Sequence, residues 1–186
     1  MTTDEGSSPR KAAAPSASGS DDRVSEGSPS SPEVPESVRV LEQFLQEDGW
    51  YPRKLSVENG HVFRVDFRGA HGLMPCYAEV RPEFSQFIFY VVAPVKADPS
   101  KMQEVCEFVA RANYGLRIGN LELDFDDGEI RYKSSLDFEG TGLTPGLLKG
   151  AMYPAVQTMD DYLPGLLAVV FGGATAKAAI EAIENQ

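Results

Sequence analysis

Residues 121–139, LELDFDDGEIRYKSSLDFE, decide the fold of this chain. Apolar and polar residues alternate on both sides of Asp127-Gly128, a dipeptide that favours the tight turn of a β-hairpin. With a period of two residues, one side of such a hairpin is apolar and the other is charged. A register that places Glu122 and Asp124 near the bases of the second strand is favoured by cross-strand pairing. We therefore predict an antiparallel hairpin with one buried side.

Strands and helices are also predicted on both sides of this hairpin. Four strands precede it, over residues 54–58, 61–68, 73–81 and 85–92, and Asn59-Gly60 is a second turn signal. Pro75 indicates an edge or irregular position for the third of these strands. Helical periodicity covers residues 36–47, 99–113 and the last third, where Pro154 should bend or end the helix. Hairpins outnumber β-α-β crossovers, so we predict an α+β fold of order α-β-β-β-β-α-β-β-α-α, an antiparallel sheet with helices packed on one face.

The charge of the chain excludes two classes of partner. Its 186 residues carry 17 Lys and Arg against 28 Asp and Glu, a net charge of −11. This balance excludes a general nucleic-acid binder, which needs clustered bases to neutralise phosphates, and electrostatic docking on anionic membranes. The N-terminus has no apolar signal core, and no apolar run reaches the roughly 20 residues of a membrane helix. We expect a cytoplasmic protein.

Composition divides the chain into two parts. Residues 1–36 contain nine Ser and five Pro, with few large apolar residues. Such a segment buries too little apolar surface to offset its ordering entropy, so we predict a disordered tail. Residues 37–186 are long enough for one domain with its own core and need no metal or disulfide.

The acidic turn of the hairpin invites a calcium-site interpretation. Asp124, Asp126 and Asp127 precede Gly128. The EF-hand loop places its Gly at the sixth position, whereas Gly128 is fifth counted from Asp124. The hairpin turn explains the same residues.

Four other residues, two cysteines and two histidines, are candidates for catalysis or metal binding. Cys106 could act as a nucleophile with His61 or His71 as its base, but it lies on the apolar stripe of a predicted helix, where a buried thiol is usual. His71 and Cys76 could bind a metal together with an acid, but an exposed loop explains His71. We predict no catalytic residue, no metal and no cofactor.

The strand over residues 85–92 is apolar on both faces. Its alternation points apolar side chains to both sides of the sheet. One interpretation is a protein-interaction face. The other is a central strand covered by helices on one side and by loops or the tail on the other. The candidate interaction residues are Phe87, Ile88, Phe89, Tyr90 and Val92.

Short motifs in the second half resemble the YbjN family of bacterial proteins. They are ANYG at 112–115, GNLELD at 119–124, DGEIRYK at 127–133, LTP at 143–145, TMD at 158–160 and YLPG at 162–165. The resemblance implies a fold like that of type III secretion chaperones, often dimeric, and a role in sensory transduction. The family has no agreed catalytic residues, so none is carried over to this chain.

These observations predict a non-enzymatic protein-binding module, chaperone-like or regulatory. We expect it to act as a homodimer and to bind a second, unidentified protein. One alternative is a small enzyme with a pocket between sheet and helices, using carboxylates such as Asp124 and Asp137. Another is a structural subunit of a larger assembly.

Overall fold

The computed structural model describes residues 33–57 and 60–185. From Val34 onward these residues form one compact unit. The first 32 residues of the predicted tail, and Asn59 of the predicted turn, lie outside the described residues. The helices are α1 (Glu36–Glu47), α2 (Met102–Gly115), α3 (Pro145–Val170) and α4 (Ala176–Glu184). The strands are β1 (Arg53–Leu55), β2 (His61–Arg68), β3 (Leu73–Arg81), β4 (Gln86–Lys96), β5 (Asn120–Leu123) and β6 (Glu129–Asp137), with a 3₁₀ turn at Pro82–Phe84.

All six strands form one antiparallel sheet in the order β1-β2-β3-β4-β6-β5. On each of the longer strands only alternate residues are buried, so the helices cover a single face. The α+β prediction and its element order are confirmed, with the 3₁₀ turn added between the third and fourth strands.

The hairpin predicted from residues 121–139 is formed by β5 and β6. Leu121 lies opposite Tyr132 and Glu122 opposite Arg131. Gly128 has a φ of +76°, and an added Cβ there would lie 2.2 Å from the carbonyl oxygen of Ala97. Both facts explain why this turn requires glycine. The register differs from the prediction by two residues, because the loop runs over residues 124–128. Glu122 lies opposite Arg131 instead of Lys133, and Asp124 lies in the exposed loop instead of opposite Arg131.

Strand β3 is an interior strand and not an edge strand, but Pro75 itself lies where the pairing on one side of β3 has ended, which is the irregular position that the sequence predicted as the alternative. Strand β3 pairs with β2 on one side and with β4 on the other. Pro75 is opposite Asp66 of β2, and the pairing with β4 begins one residue later, at Cys76 opposite Val91. The N–H that proline lacks therefore falls beyond the end of the β3–β4 ladder.

The core lies between the covered face of the sheet and the four helices. Helix α1 contributes Val38, Leu41, Phe44 and Leu45. Trp50 follows this helix and packs with its ring centroid 6.1 Å from that of Phe89, nearly perpendicular to it. The largest fully buried side chains are Tyr132, Phe63, Phe87, Phe89 and Phe108.

Helix α3 runs without a break through two prolines. It spans 26 residues and contains Pro154 and Pro164, so the helix does not end at Pro154, which was one of the two predicted outcomes. Twelve of its residues are buried, and this tertiary packing outweighs the lost hydrogen bonds. Its start is as predicted, because the Thr144 hydroxyl accepts a hydrogen bond from the Leu147 N–H at 3.3 Å. Among the described residues, no helix is both long and apolar enough to cross a membrane.

Candidate protein-interaction face

Strand β4 divides the five predicted interaction residues between two faces of the sheet. Phe87 and Phe89 are 0% exposed and belong to the core beneath the helices. Ile88, Tyr90 and Val92 point to the other side, where they are half-buried. The division follows from the two-residue period of a strand. The prediction that this surface binds a protein therefore concerns only the latter three residues and their neighbours.

We call this second side of the sheet the open face, because none of the described helices covers it. The pairing of the strands brings one row of side chains across its middle: Arg64, Tyr77, Tyr90, Lys133 and Asn120. A second row contains Val62, Glu79, Ile88 and Ser135. The open face thus combines aromatic and aliphatic side chains with charges of both signs.

An arginine lies on the central aromatic ring of the open face. The Arg131 guanidinium carbon is 4.5 Å from the centroid of the Tyr90 ring, a cation–π distance. Glu122 orients this group, because its carboxylate accepts from Arg131 Nε at 2.8 Å and from Lys133 Nζ at 3.3 Å. Partial burial alone would raise the pKa of Glu122, but these two bases lower it below its ordinary value. An ionised Glu122 therefore holds the guanidinium over the ring.

Ion pairs surround this centre. Arg64 lies 3.3 Å from Asp66, and Arg81 lies 2.7 Å from Glu79. The aliphatic stems of such long side chains cover apolar surface while their charges stay in water. The Arg131 guanidinium on its ring explains why Tyr90 is half-buried and not exposed, although no described helix covers it.

The two carboxylates proposed for an enzyme are far apart. Asp124 lies in the loop before β6, and Asp137 is the last residue of β6. The nine residues of β6 lie between the two ends of the hairpin at which these carboxylates are found. At the usual rise per residue the strand spans roughly 25–30 Å. Both are exposed. They cannot act on the same small substrate.

The two cysteines differ in how far they are buried. Cys76 is buried, and burial raises the pKa of its thiol to about 12. Cys106 is half-buried rather than buried, so the prediction for it is wrong. Helix α2 turns Val105, Phe108 and Ala112 to the core, and Cys106 lies beside that stripe.

Among the contacts of the described residues, neither histidine is placed to act as a base for a cysteine thiol. His71 binds Asp160 through its ring and its backbone N–H, while His61 lies on β2 opposite Val80. Within residues 33–57 and 60–185, no three side chains of the His, Cys, Asp or Glu type converge as metal ligands.

Sequence reasoning missed part of the open face. Tyr77, Glu122 and Arg131 lie there because β3 and β6 flank β4. The alternation of polar and apolar residues assigns each of these three residues to one side of its own strand, but it does not say which strands are neighbours. The signal that could have joined them is the order of the strands, which alternation does not contain.

An antiparallel sheet with helices on one face, and a mixed apolar and charged surface on the other, has the features of a binding or regulatory domain. The chain belongs to the YbjN family: the family model, described as "Putative bacterial sensory transduction regulator", matches residues 37–168. This confirms the family predicted from the motifs.

Two solved structures are similar to the chain. One is a chain of the ExsC–ExsE complex, with 11% identity and a TM-score of 0.46, covering 68% of this chain and 90% of that chain. The other is YbjN from E. coli, with 12% identity and a TM-score of 0.45, covering 67% and 89%. No curated protein matches the chain.

Proposed function

We propose that this protein is a non-enzymatic protein-binding module, chaperone-like or regulatory, and that it forms a homodimer through the open face. The observation that carries the proposal is the uncovered side of β4, where Ile88, Tyr90 and Val92 lie at the centre of the sheet. An apolar centre with a polar rim is the usual anatomy of a protein interface.

The charges of the open face support a second copy as its occupant. In a two-fold interface the same patch contacts itself, so it must carry both signs of charge. Glu79 and Glu122 supply the negative groups, while Arg64, Arg131 and Lys133 supply the positive ones. A rotated copy can therefore place acids of one chain against bases of the other.

Molar mass in solution tests this proposal. We expect the full chain to show twice its 20.2 kDa by light scattering after size-exclusion chromatography. Tyr90→Ala and Ile88→Asp should each weaken the dimer by about tenfold or more, because both remove apolar contact from the centre. Phe171→Ala is the control, because Phe171 is 73% exposed at the end of α3 and not on the sheet.

A strict monomer at high concentration would overturn the homodimer. A dimer that withstands both open-face variants would assign the interface to another surface. A cytoplasmic location stays a prediction.

A further inference from the structure

A groove runs between the outer side of α2 and the tip of the β5–β6 hairpin. It has a volume of about 520 Å³ and is lined mainly by apolar side chains, among them Pro99, Met102, Cys106, Ala110 and Phe125. Phe125 is 63% exposed although it is a large aromatic residue. Exposed aromatic rings beside an apolar groove are typical of binding surfaces.

The floor of the groove has helical spacing. Met102, Cys106 and Ala110 follow one another at intervals of four residues on α2. Cys106 and Ala110 lie beside the core stripe of Val105 and Phe108, while Met102 at the start of this row also packs against the core. Eight residues of helix rise by about 12 Å, which matches about two turns of a second helix lying in the groove.

Acidic side chains flank the apolar floor. Glu107 lines the groove, and Asp124 and Asp126 flank Phe125 in the chain. We call these three residues the acidic rim. Glu107 is paired with Arg111 at 2.7 Å, and Lys96, the base at the hairpin tip, is paired with Asp127. Neither Asp124 nor Asp126 has a base within 4 Å in the described part of the chain. The rim therefore favours an occupant that carries positive charge.

This charge argues against a second copy in the groove. A two-fold contact would bring the acidic rim of one chain against the same rim of the other, and such like charges repel. The open face, with both signs of charge, has no such conflict.

We propose that this groove binds an amphipathic helix of a partner protein. The apolar side chains of that helix would pack on Met102, Cys106 and Phe125, and its Lys or Arg side chains would lie toward the acidic rim. The inference rests on the proposed protein-binding role but not on the homodimer. It names the chemistry of the second partner: a helix of about two turns or more, apolar on one side and basic at its borders.

A labelled model peptide tests the proposal on the full chain. The probe is a 14-residue peptide of Leu and Lys, with Leu spaced to form one helical side. Two comparison peptides serve as controls. One has Glu in place of Lys, and the other has Leu and Lys in strict alternation, so that its Leu residues do not share one side of a helix. Fluorescence anisotropy at low and high salt should show binding only of the first, weakened as salt screens the charges.

Cys106 reports whether the peptide occupies the groove. Cys76 is 0% exposed, so alkylation by iodoacetamide reports mainly on Cys106. Saturating peptide should slow this alkylation by about tenfold. Phe125→Ala and Asp126→Lys should each weaken binding by about tenfold. Tyr114→Ala is the control on α2, where Tyr114 is 96% exposed and outside the groove.

Three outcomes would overturn the inference: equal binding of the Glu peptide, unchanged alkylation of Cys106, or loss of the dimer in Phe125→Ala. Tyr90→Ala separates the two proposals, because an open-face variant should leave peptide binding unchanged. A monomeric protein that still binds the Leu–Lys peptide would refute only the homodimer.

Discussion

Asp160 of α3 binds both the backbone and the side chain of His71, which lies in the turn between β2 and β3. The carboxylate accepts a hydrogen bond from the His71 N–H at 2.9 Å and another from the Ala70 N–H at 2.8 Å. The backbone carbonyl of Asp160 lies 3.0 Å from His71 Nδ1. Pro164 leaves that carbonyl without its helical donor, so the histidine ring takes the place of the missing N–H.

Replacing Asp160 should destabilise the fold. Asp160→Ala removes a 5% exposed carboxylate and leaves two backbone N–H groups of the turn without their acceptor. We expect a loss of about 2–4 kcal/mol in the free energy of unfolding, measured with urea. Asp161→Ala is the control, since its carboxylate is exposed and, among residues 33–57 and 60–185, accepts a hydrogen bond only from Gln157. Equal losses for the two variants would contradict the role of Asp160.

Two glycines should respond in opposite directions to alanine. At Gly69 an added Cβ would lie 2.2 Å from an Asp160 carboxylate oxygen. Gly69→Ala should therefore destabilise the protein, because the carboxylate must leave its place. At Gly150, inside α3, a Cβ meets nothing within 4 Å. Gly150→Ala should stabilise the protein by about 0.5–1 kcal/mol, because alanine favours a helix. Thermal unfolding of both variants measures the contrast.

Asn113 should protect the outer edge of β5. Its side-chain oxygen accepts from the Leu121 N–H at 2.7 Å, and its amide donates to the Leu121 carbonyl at 3.0 Å. Asn113→Ala should speed hydrogen exchange of the Leu121 amide by about tenfold or more. Asn120→Ala is the matched control, because its amide makes one contact of 3.4 Å with the same carbonyl. Unchanged exchange in Asn113→Ala would show that water replaces the side chain without cost.

Asp48 should contribute stability that acid removes. Partial burial alone would raise its pKa, but hydrogen bonds from Tyr153, Trp50 and Lys149 lower it below the ordinary 3.8. The contribution is therefore present above pH 3.8 and is lost as the pH falls through the folded-state pKa. Asp48→Asn should cost about 1 kcal/mol at pH 7 and progressively less below about pH 4.

Urea unfolding of wild type and Asp48→Asn over this pH range measures the difference. The exposed neighbour Glu47 supplies the control, Glu47→Gln. A difference that stays constant down to pH 2.5 would mean that the aspartate charge is not responsible.

Local signals in the sequence predicted most elements of the fold. The β5–β6 hairpin and its buried side were predictable because alternation on both strands and the Asp127-Gly128 turn signal agree. The cap at Thr144 was predictable for the same reason, since a hydroxyl and a following proline both favour a helix start. The exact register of the hairpin was not predictable, because the loop runs over residues 124–128 and not over Asp127 and Gly128 alone. Signals that stood alone were less reliable. Pro154 suggested an end of the helix, which tertiary packing overrides, and Pro75 suggested an edge strand, although only the β3–β4 ladder ends there.

The site depends on relations between distant strands, which local patterns do not contain. The sequence pattern does not distinguish Phe87 from Tyr90, since both are large aromatic residues of one apolar strand, yet only Phe87 is covered by helices. The contact of Arg131 with Tyr90 requires β6 to be the neighbour of β4. Cys106 differs from the buried Val105 by one position on α2, or about 100° around the helix.

The edges of the sheet also bear on how the protein behaves at high concentration. Exposed strand edges invite further strands and lead to fibrous aggregates. At one edge the Asn113 side chain already makes hydrogen bonds with the backbone N–H and carbonyl of Leu121. At the other edge, β1 has only three residues. Growth of the sheet from chain to chain is thus disfavoured at both ends. The protein can leave one whole side of a six-stranded sheet available for recognition with little risk of polymerising.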